Sequence, residues 1–372
     1  MAVERMVLLA DWAAKQLSLH LKQDLAAAQL NINILAGDAS FRRYFRITFA
    51  SPVQLNAQSF VLVDAPPPES LEPFVSIALA YQDAHVRVPN VLSQDADIGV
   101  MLLEDFGDEL FYQRVTKSEY PQVYYQQALQ QLPALMRITE HRSGVLPEYD
   151  QALLQRENAL FSDWLVGTHL GLTLSLDEQK IWQQFSNRLI ANALQQPQVG
   201  VHRDYHSRNL MFLGNGHQVR LNQSQALQHA LGIIDFQDAV RGPITYDLVS
   251  LLRDCYIVWP DTMVQELSTF GYELLQQEGL LAASVSVEEW QQWFDLMGLQ
   301  RHTKASGIFA RLYHRDGKAG YLHDIPATVE YLLKVAQKYP EFRDYCDWLQ
   351  ERIIPALAAK AENSVTGLKG NS

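Results

Sequence analysis

The chain has 372 residues, of which 48% are hydrophobic and 19% charged, and 30 Lys and Arg against 42 Asp and Glu give a net charge of −12. This composition predicts a globular protein of two or three domains and excludes collagen, a coiled coil and wholesale disorder. No apolar run approaches the roughly 18 residues that a membrane span needs. The negative net charge opposes nonspecific binding to nucleic acid. We therefore expect no nucleic-acid partner and no membrane partner.

The N-terminus and the cysteines favour a cytoplasmic location. The apolar stretch Met6–Ala10 is interrupted by Asp11, and Glu4 stands where a signal peptide carries basic residues. Cys255 and Cys346 match no metal or redox spacing, so a secreted disulfide framework is not expected. We interpret both cysteines as buried apolar side chains.

The first hundred residues predict one helix followed by a β-rich region. Apolar residues at helical spacing predict a helix over 3–28. Short segments rich in β-formers and bounded by Gly, Pro, Asp and Ser predict strands. These strands are Asn31–Leu35, Tyr44–Phe49, Ser59–Val63 and Val100–Leu103, and a helix is predicted at Leu71–Asp83.

Beyond Glu104 the predicted elements are mainly helices. They cover 119–141, 149–170, 177–195, 244–256, 261–278, 287–302, 303–314, 327–338 and 341–361. The exception is 198–235, where strands are predicted at Val199–His202, Leu210–Leu213 and Leu231–Ile234. The polar segment Gly214–Ala230 between the last two strands is interpreted as a mobile surface insertion.

This layout predicts an α+β protein with two lobes. A small β-rich N-terminal lobe with a leading helix would cover 1–103, a hinge 104–107, and a larger helical lobe 108–362. Residues 363–372 are rich in Gly, Ser, Asn and Lys and are expected to be disordered. A cleft between two lobes is a common place for a ligand.

The most informative segment is Val201–Leu210, with the sequence VHRDYHSRNL. It fits the pattern H-R-D-x-x-x-x-N, in which Asp accepts the proton of a substrate hydroxyl and Asn holds Mg²⁺ on the nucleotide phosphates. Asp204 is thus the predicted catalytic base and Asn209 a predicted magnesium ligand. Mg²⁺ on a triphosphate needs a second ligand, and Asp235 supplies one at the end of an apolar strand. For an isolated Asp a helix N-cap or a turn is the alternative, and the ordered set favours a metal site.

A DFG triplet, Asp105 to Gly107, precedes this segment. In protein kinases the DFG triplet follows the catalytic loop, so the order excludes Asp105 as the equivalent magnesium ligand. Its position after Glu104 suits a hinge, where backbone groups could pair with adenine. We therefore predict nucleotide contacts at Glu104 and Phe106.

These motifs resemble the aminoglycoside phosphotransferase/choline kinase family, which has a protein-kinase-like fold. The run Ile233–Ala239, followed by Gly242-Pro243 and Tyr246–Leu248, is similar to the family signature I-D-[WF]-x-x-A…G-x-P-x-x-D-L. The resemblance implies ATP and Mg²⁺ as the cosubstrate and the cofactor. It also implies the roles given above for the base and the ligands, with Asp247 as structural support of the catalytic loop. His202 is expected to brace the same loop.

A narrower resemblance is to the bacterial N-acetylmuramate/N-acetylglucosamine anomeric kinases. The segments that carry it are Gly37–Arg46, Asp64–Pro67, Leu103–Asp108 and Gly307–Leu312. It implies phosphorylation of the anomeric C1 hydroxyl of an amino sugar in peptidoglycan recycling, and a functional link to a sugar-1-phosphate nucleotidyltransferase. The alternatives are a kinase for choline, homoserine or an aminoglycoside, a regulatory pseudokinase, and a metallohydrolase built on the spacing of His202, Asp204 and His206.

The chain departs from the wider kinase pattern in lacking the phosphate-binding lysine of the third strand. No lysine occurs between Lys22 and Lys117. Three arginines at 42, 43 and 46 are the nearest cations, and they follow Gly37–Ser40, which takes the place of a glycine-rich loop. A solvated edge-strand charge is the alternative for each arginine. The residues predicted to bind the nucleotide are Ser40, Arg42, Arg43, Glu104 and Phe106.

The acceptor pocket is expected beside Asp204. A carboxylate on a sugar such as N-acetylmuramate would favour an arginine partner. The candidate substrate residues are His206, Arg301, Arg311 and Arg156. For His206 a packed loop histidine is the alternative.

Overall fold

The structure is a computed structural model that describes residues 2–35, 42–50, 59–213 and 231–369. Ser40, which we predict to bind the nucleotide, and the predicted insertion Gly214–Ala230 lie outside the described residues. None of the helices in the described ranges combines the length and the apolarity that crossing a membrane requires.

Contacts between residues divide the chain into two compact units. Unit 1 consists of Met1–Pro121, Ile138–Leu146 and Ser207–Ala239, and unit 2 of Gln122–Arg137, Pro147–His206 and Val240–Ser372. Both sides of the segment 104–107 belong to unit 1. The domain boundary that the sequence places there therefore stays a prediction.

The described strands are short and pair antiparallel. They are β1 Leu30–Ile34, β2 Arg43–Phe49, β3 Phe60–Asp64, β4 Val91–Asp95, β5 Val100–Glu104, β6 Glu140–His141, β7 Gly144–Val145, β8 Gln198–Val201, β9 Leu210–Phe212, β10 Leu231–Ile233 and β11 Val240–Pro243. Five of them form one sheet in the order β1-β2-β3-β5-β4, and β9 pairs with β10, β8 with β11 and β6 with β7.

The helices of the described chain dominate unit 2. They are α1 Ala2–Leu21, α2 Glu72–Asp83, α3 Phe111–Val115, α4 Pro121–Leu129, α5 Leu132–Met136, α6 Gln151–Leu160, α7 Leu176–Gln195, α8 Tyr246–Leu252, α9 Asp261–Gln277, α10 Val287–Asp316, α11 Ile325–Ala336, α12 Arg343–Trp348 and α13 Ile354–Lys369. Phe161–His169 and Leu349–Ile353 are π-helical.

Unit 1 is built on the five-stranded sheet. Successive side chains of a strand point to opposite faces, and one face of β2 and β3 packs against α1 through a buried cluster that includes Leu9 and Leu62. The other face carries Arg46 and Val61, which are opposite each other in the register of β2 and β3. This second face is the one that lines the cavity of unit 1.

Unit 2 has a helical core around α10, which is 30 residues long. The helix begins where the Ser286 hydroxyl accepts a hydrogen bond from the N–H of Glu289 at 3.2 Å. It ends at Gly317, whose φ of 68° is the left-handed conformation that closes helices. Buried side chains of α10, α11 and α12 pack in one apolar cluster, among them Leu296, Val329 and Tyr345.

Several predicted boundaries are wrong for local reasons. The predicted helix 3–28 stops at Leu21, because Lys22 takes a φ of 54°. The predicted helices 287–302 and 303–314 are one continuous helix. The predicted helix 119–141 is replaced by α4, α5 and the strand β6. β4 and β11 were missed because one is half polar and the other contains Gly and Pro. The last helix, α13, ends at Lys369, and the disorder predicted for 363–372 stays a prediction.

Candidate active site

A cavity of about 430 Å³ lies in unit 1 where β5 ends. Its walls combine an apolar slot with a set of polar groups. The apolar side includes Leu35, Val61, Phe74, Leu103, Phe106, Met211, Ile234 and Phe236, and the polar side chains are Arg46, Glu104, Asp105, Asp108, Asn209 and Asp235. The cavity can therefore take a flat apolar group and, beside it, a charged one.

The segment after β5 is held to the sheet by Arg46. Its guanidinium donates to Asp105 at 2.6 and 3.0 Å, to Asp108 at 2.6 Å and to the carbonyl of Gly107 at 3.0 Å. Burial raises the pKa of the Asp105 carboxyl, but hydrogen bonds from Arg46, Ser59 and the N–H of Gly107 outweigh burial and lower it overall. Asp105 is thus an ionised anchor of this segment.

Glu104 and Phe106 line the same cavity, and their side chains are fixed by neighbours. The Glu104 carboxylate accepts a hydrogen bond from Asn90 Nδ2 at 2.7 Å and pairs with Arg87. The Arg87 guanidinium also lies 4.7 Å from the centroid of the Phe106 ring. Gly232 on β10 lets this ring approach, because a Cβ there would lie 2.4 Å from Phe106 Cε2. The Glu104 carboxylate is therefore held by Asn90 and Arg87.

Asn209 and Asp235 meet at the ends of β9 and β10. The N–H of Ile234 donates to the carbonyl of Asn209 at 3.0 Å, and Asn209 Nδ2 donates to Asp235 Oδ2 at 3.1 Å. Gln237 Nε2 donates to the other carboxylate oxygen at 2.8 Å. Asp235 has a φ of 64°, a conformation that Asp adopts more readily than most residues. Sequence reasoning paired these two residues, and the structure brings them together.

The donor set of Asn209 and Asp235 fits Mg²⁺. Both side chains offer oxygen ligands, and Mg²⁺ is usually bound by one or two protein oxygens with waters and phosphate oxygens completing the octahedron. Within the described ranges no group of three or more His, Cys, Asp or Glu residues could hold a metal. The pair therefore suits a metal shared with a phosphate ligand rather than a site made of protein alone.

The catalytic loop that precedes Asn209 is anchored in unit 2 by Asp247. Asp247 is buried, and its Oδ2 and Oδ1 accept hydrogen bonds from the N–H groups of His202 at 2.6 Å and Arg203 at 3.0 Å. Burial raises its pKa to about 7 although both hydrogen bonds favour the ionised form. The Asp204 N–H donates to His202 Nδ1 at 3.2 Å. These contacts hold the backbone of residues 202–204, and the role of His202 and Asp247 in a catalytic loop stays a prediction.

Arg203 carries backbone strain in this loop. Its φ of 77° is in the left-handed region, which is unfavourable for a residue with a long side chain. The conformation is held at both ends of the residue, by Asp247 on the N–H and by Glu157 on the guanidinium. The strain fixes the direction in which the next residue, Asp204, leaves the loop.

Asp204 lies half-buried among cations. Burial alone would raise the pKa of its carboxyl, but the charges of Lys304, His206, Arg203 and His202 outweigh burial and lower it. Asp204 is therefore ionised and can accept a hydrogen bond or a proton.

Lys304 and Arg203 share one buried carboxylate as their ion-pair partner. Glu157 pairs with Lys304 Nζ at 3.2 Å and with Arg203, and it also accepts a hydrogen bond from the Tyr149 hydroxyl. Lys304 Nζ donates to the Tyr246 hydroxyl at 3.2 Å. This cluster of Glu157, Arg203 and Lys304 was missed as a unit from the sequence. No spacing signals this cluster, because its three residues are far apart in the sequence.

Other predicted site residues are placed less centrally. Arg42 Nε pairs with Glu69 at 3.2 Å, and Arg43 Nε donates to Asp64 at 2.9 Å. His206 packs edge-on against Tyr256, with ring centroids 5.4 Å apart. Arg156 is exposed on α6. Arg311 lies ten residues beyond Arg301, about 15 Å along α10. Both stay predictions as substrate residues.

Residues 31–279 match the phosphotransferase enzyme family. This chain belongs to that family. It is therefore an enzyme that transfers a phosphoryl group, and the family predicted from the segments around Asp204 and Asp235 is confirmed.

Relatives and solved structures agree with this assignment. The N-acetylmuramate/N-acetylglucosamine kinase of Neisseria meningitidis is 39% identical over 84% of this chain and 87% of that protein. The enzyme of the same name from Pseudomonas putida is 38% identical over 86% of this chain and 88% of that protein. The Plasmodium vivax ethanolamine kinase has a TM-score of 0.57 at 11% identity, covering 88% of each chain. At that identity the likeness concerns the fold alone, and it confirms the predicted protein-kinase-like α+β fold.

Proposed function

We propose that this phosphotransferase transfers the terminal phosphoryl group of ATP to the anomeric C1 hydroxyl of N-acetylmuramate or N-acetylglucosamine. The observation that carries the proposal is the 38–39% identity to two kinases named for these sugars, over more than four fifths of each chain. The motif residues Asp204, Asn209 and Asp235 are all present, which supports an active kinase over a regulatory pseudokinase.

The nucleotide would bind in the cavity of unit 1. The apolar walls suit an adenine ring, and backbone groups of Glu104 or Phe106, which line the cavity, would pair with the edge of that ring. Arg42 and Arg43, with Ser40, remain the proposed contacts to the phosphates, since strand β3 has no lysine. Arg42 precedes β2 by one residue and alternates in phase with Arg46, which lines the cavity.

Asn209 and Asp235 would hold Mg²⁺ on the phosphates. When bound, the ion neutralises phosphate charge and orients the transferred group. Asp235 is fixed for this by Asn209 and Gln237, which donate to different carboxylate oxygens.

Asp204 would orient the acceptor hydroxyl and take its proton as the new P–O bond forms. An anomeric hydroxyl is more acidic than an ordinary alcohol, so a carboxylate with a low pKa is a sufficient base. Phosphoryl transfer depends mainly on positioning and charge neutralisation, which the anchored loop provides.

The product would be a sugar 1-phosphate, which a nucleotidyltransferase of peptidoglycan recycling would consume. ATP and free sugar meet in the cytoplasm, which we propose as the location. Both cysteines of the described chain, Cys255 and Cys346, are free thiols, in keeping with a reducing compartment.

The test is ³¹P NMR of the protein with ATP, Mg²⁺ and each sugar, run on wild type and on Asp204→Asn. We expect a sugar 1-phosphate resonance from wild type and a loss of turnover of about 10²- to 10⁴-fold in the variant, with ATP affinity retained. Asp347→Asn, which changes an exposed Asp of α12, is the matched control. Near-normal turnover in Asp204→Asn would remove Asp204 as the base. ATP consumption only with choline, homoserine or an aminoglycoside would refute the proposed acceptor, and no consumption with any acceptor would favour the pseudokinase.

A further inference from the structure

Arg301 is a cation of unit 2 whose guanidinium forms no ion pair with a carboxylate of the described residues. Its Nε and Nη1 atoms are buried, and no described residue accepts a hydrogen bond from either of them. A buried charge without a hydrogen-bonded partner destabilises the fold, and proteins rarely leave such a charge without compensation. Arg301 therefore differs from the other cations near Asp204.

The comparison with Lys304 makes this difference plain. Lys304 lies three residues further along α10, and its ammonium is satisfied by Glu157 at 3.2 Å and by the Tyr246 hydroxyl at 3.2 Å. Of these two partners, Arg301 contacts Tyr246. Its Cζ atom lies 5.3 Å from the centroid of the Tyr246 ring. A flat aromatic face positions a guanidinium but does not neutralise it. The cation is thus held in place with its charge available.

Arg301 is also close to the predicted catalytic base. Its charge interacts with the carboxylates of Asp204 and Asp254, although it forms an ion pair with neither of them. An anion that binds beside Asp204 could pair with the Arg301 guanidinium, whereas Lys304 and Arg203 already pair with Glu157. A planar carboxylate matches the geometry of a guanidinium better than that of an ammonium.

The two sugars in the names of the relatives differ in one carboxylate. N-acetylmuramate is N-acetylglucosamine with a lactyl ether on O3, and the ether ends in a carboxylate. We propose that Arg301 is a specificity-determining residue that binds this carboxylate and so favours the acidic sugar over the neutral one. The inference rests on the proposed function, since it assigns part of the acceptor site of the same reaction.

The test compares the ratio of kcat/KM for N-acetylmuramate to kcat/KM for N-acetylglucosamine. We expect Arg301→Met to lower this ratio about 10- to 100-fold, mainly through the KM for N-acetylmuramate, because a charge-assisted hydrogen-bond pair is lost. Arg301→Lys should restore part of it. Arg315→Met, an exposed arginine of the same helix, is the matched control and should keep the wild-type ratio.

A measurement on the wild type keeps the test independent of folding in the variants. The methyl ester of N-acetylmuramate lacks the charge but keeps the shape, and its kcat/KM should fall by a similar factor in wild type and little further in Arg301→Met. An unchanged ratio in Arg301→Met, or an equal loss for both sugars, would overturn the inference and assign Arg301 to the transferred phosphate or to the fold. Wild type that phosphorylates N-acetylglucosamine but not N-acetylmuramate would refute it while leaving the proposed reaction. Wild type that phosphorylates neither sugar would refute the proposed function itself.

Discussion

Replacing Glu157 by Gln tests the charge cluster that supports the catalytic loop. The side chain of Glu157 is 6% exposed and is the shared partner of Arg203 and Lys304, whose side chains are 18% and 14% exposed. Gln keeps the size and one acceptor but removes the carboxylate charge that the two cations share. Removing one member of a buried ion pair costs about 3–5 kcal/mol, because the remaining charge stays desolvated. We expect Glu157→Gln to lower the free energy of unfolding by that amount.

Glu148→Gln is the matched control. Glu148 pairs with Arg241 at 3.0 Å, but the two side chains are 55% and 44% exposed. Exposed pairs contribute about 0–1 kcal/mol, since water screens both charges. The same substitution should therefore have a small effect at this position, and urea unfolding of the two variants beside wild type measures the difference.

The pH dependence adds a second readout for Glu157. Burial opposes its ionisation, but Lys304 and Arg203 overcome burial and lower its pKa below the ordinary value of 4.5. A carboxyl whose pKa is lower in the folded chain stabilises the fold above its unfolded pKa and loses that contribution as the pH falls through the folded one. The difference between wild type and Glu157→Gln should thus persist from pH 8 to pH 5 and shrink below about 4.5. A loss under about 1 kcal/mol at pH 7, equal to that of Glu148→Gln, would refute the reasoning.

Two further predictions concern the cavity and the pH response. Gly232→Ala should raise the KM for ATP several-fold with little loss of stability, since its Cβ would press the Phe106 ring into the cavity. Gly320→Ala is the control, because a Cβ there meets nothing within 4 Å. It should change neither the KM for ATP nor the stability. Burial and the charge of His314 lower the pKa of His169 to about 4. Between about pH 6.5 and pH 4, His169 is therefore protonated in the unfolded chain and neutral in the folded chain. As the pH is lowered over that range, the free energy of unfolding, measured with urea, should fall less steeply in His169→Gln than in wild type. Equal pH dependence in the two proteins would contradict the lowered pKa of His169.

The sequence by itself determined the reaction class and predicted the residues that would carry it. The spacing of Asp204 and Asn209 and the strand that ends at Asp235 were sufficient for the class, because together they match a motif of phosphoryl-transfer enzymes. Four of the five strands of the sheet in unit 1 were also predictable, since they are short apolar segments bounded by glycine, proline and polar turns. These signals are local, and each is contained in about ten residues of sequence.

Tertiary structure decided which charges are available. The sequence does not show which cations have a carboxylate partner. The fold pairs Arg46, Arg203 and Lys304 with carboxylates. It leaves two guanidinium nitrogens of Arg301 buried beside an aromatic ring. The partner of a charge depends on residues that are far apart in the chain, such as Glu157 for Lys304. Sequence spacing carries no information on such a pairing, because burial and approach are set by the packing of α6 against α10.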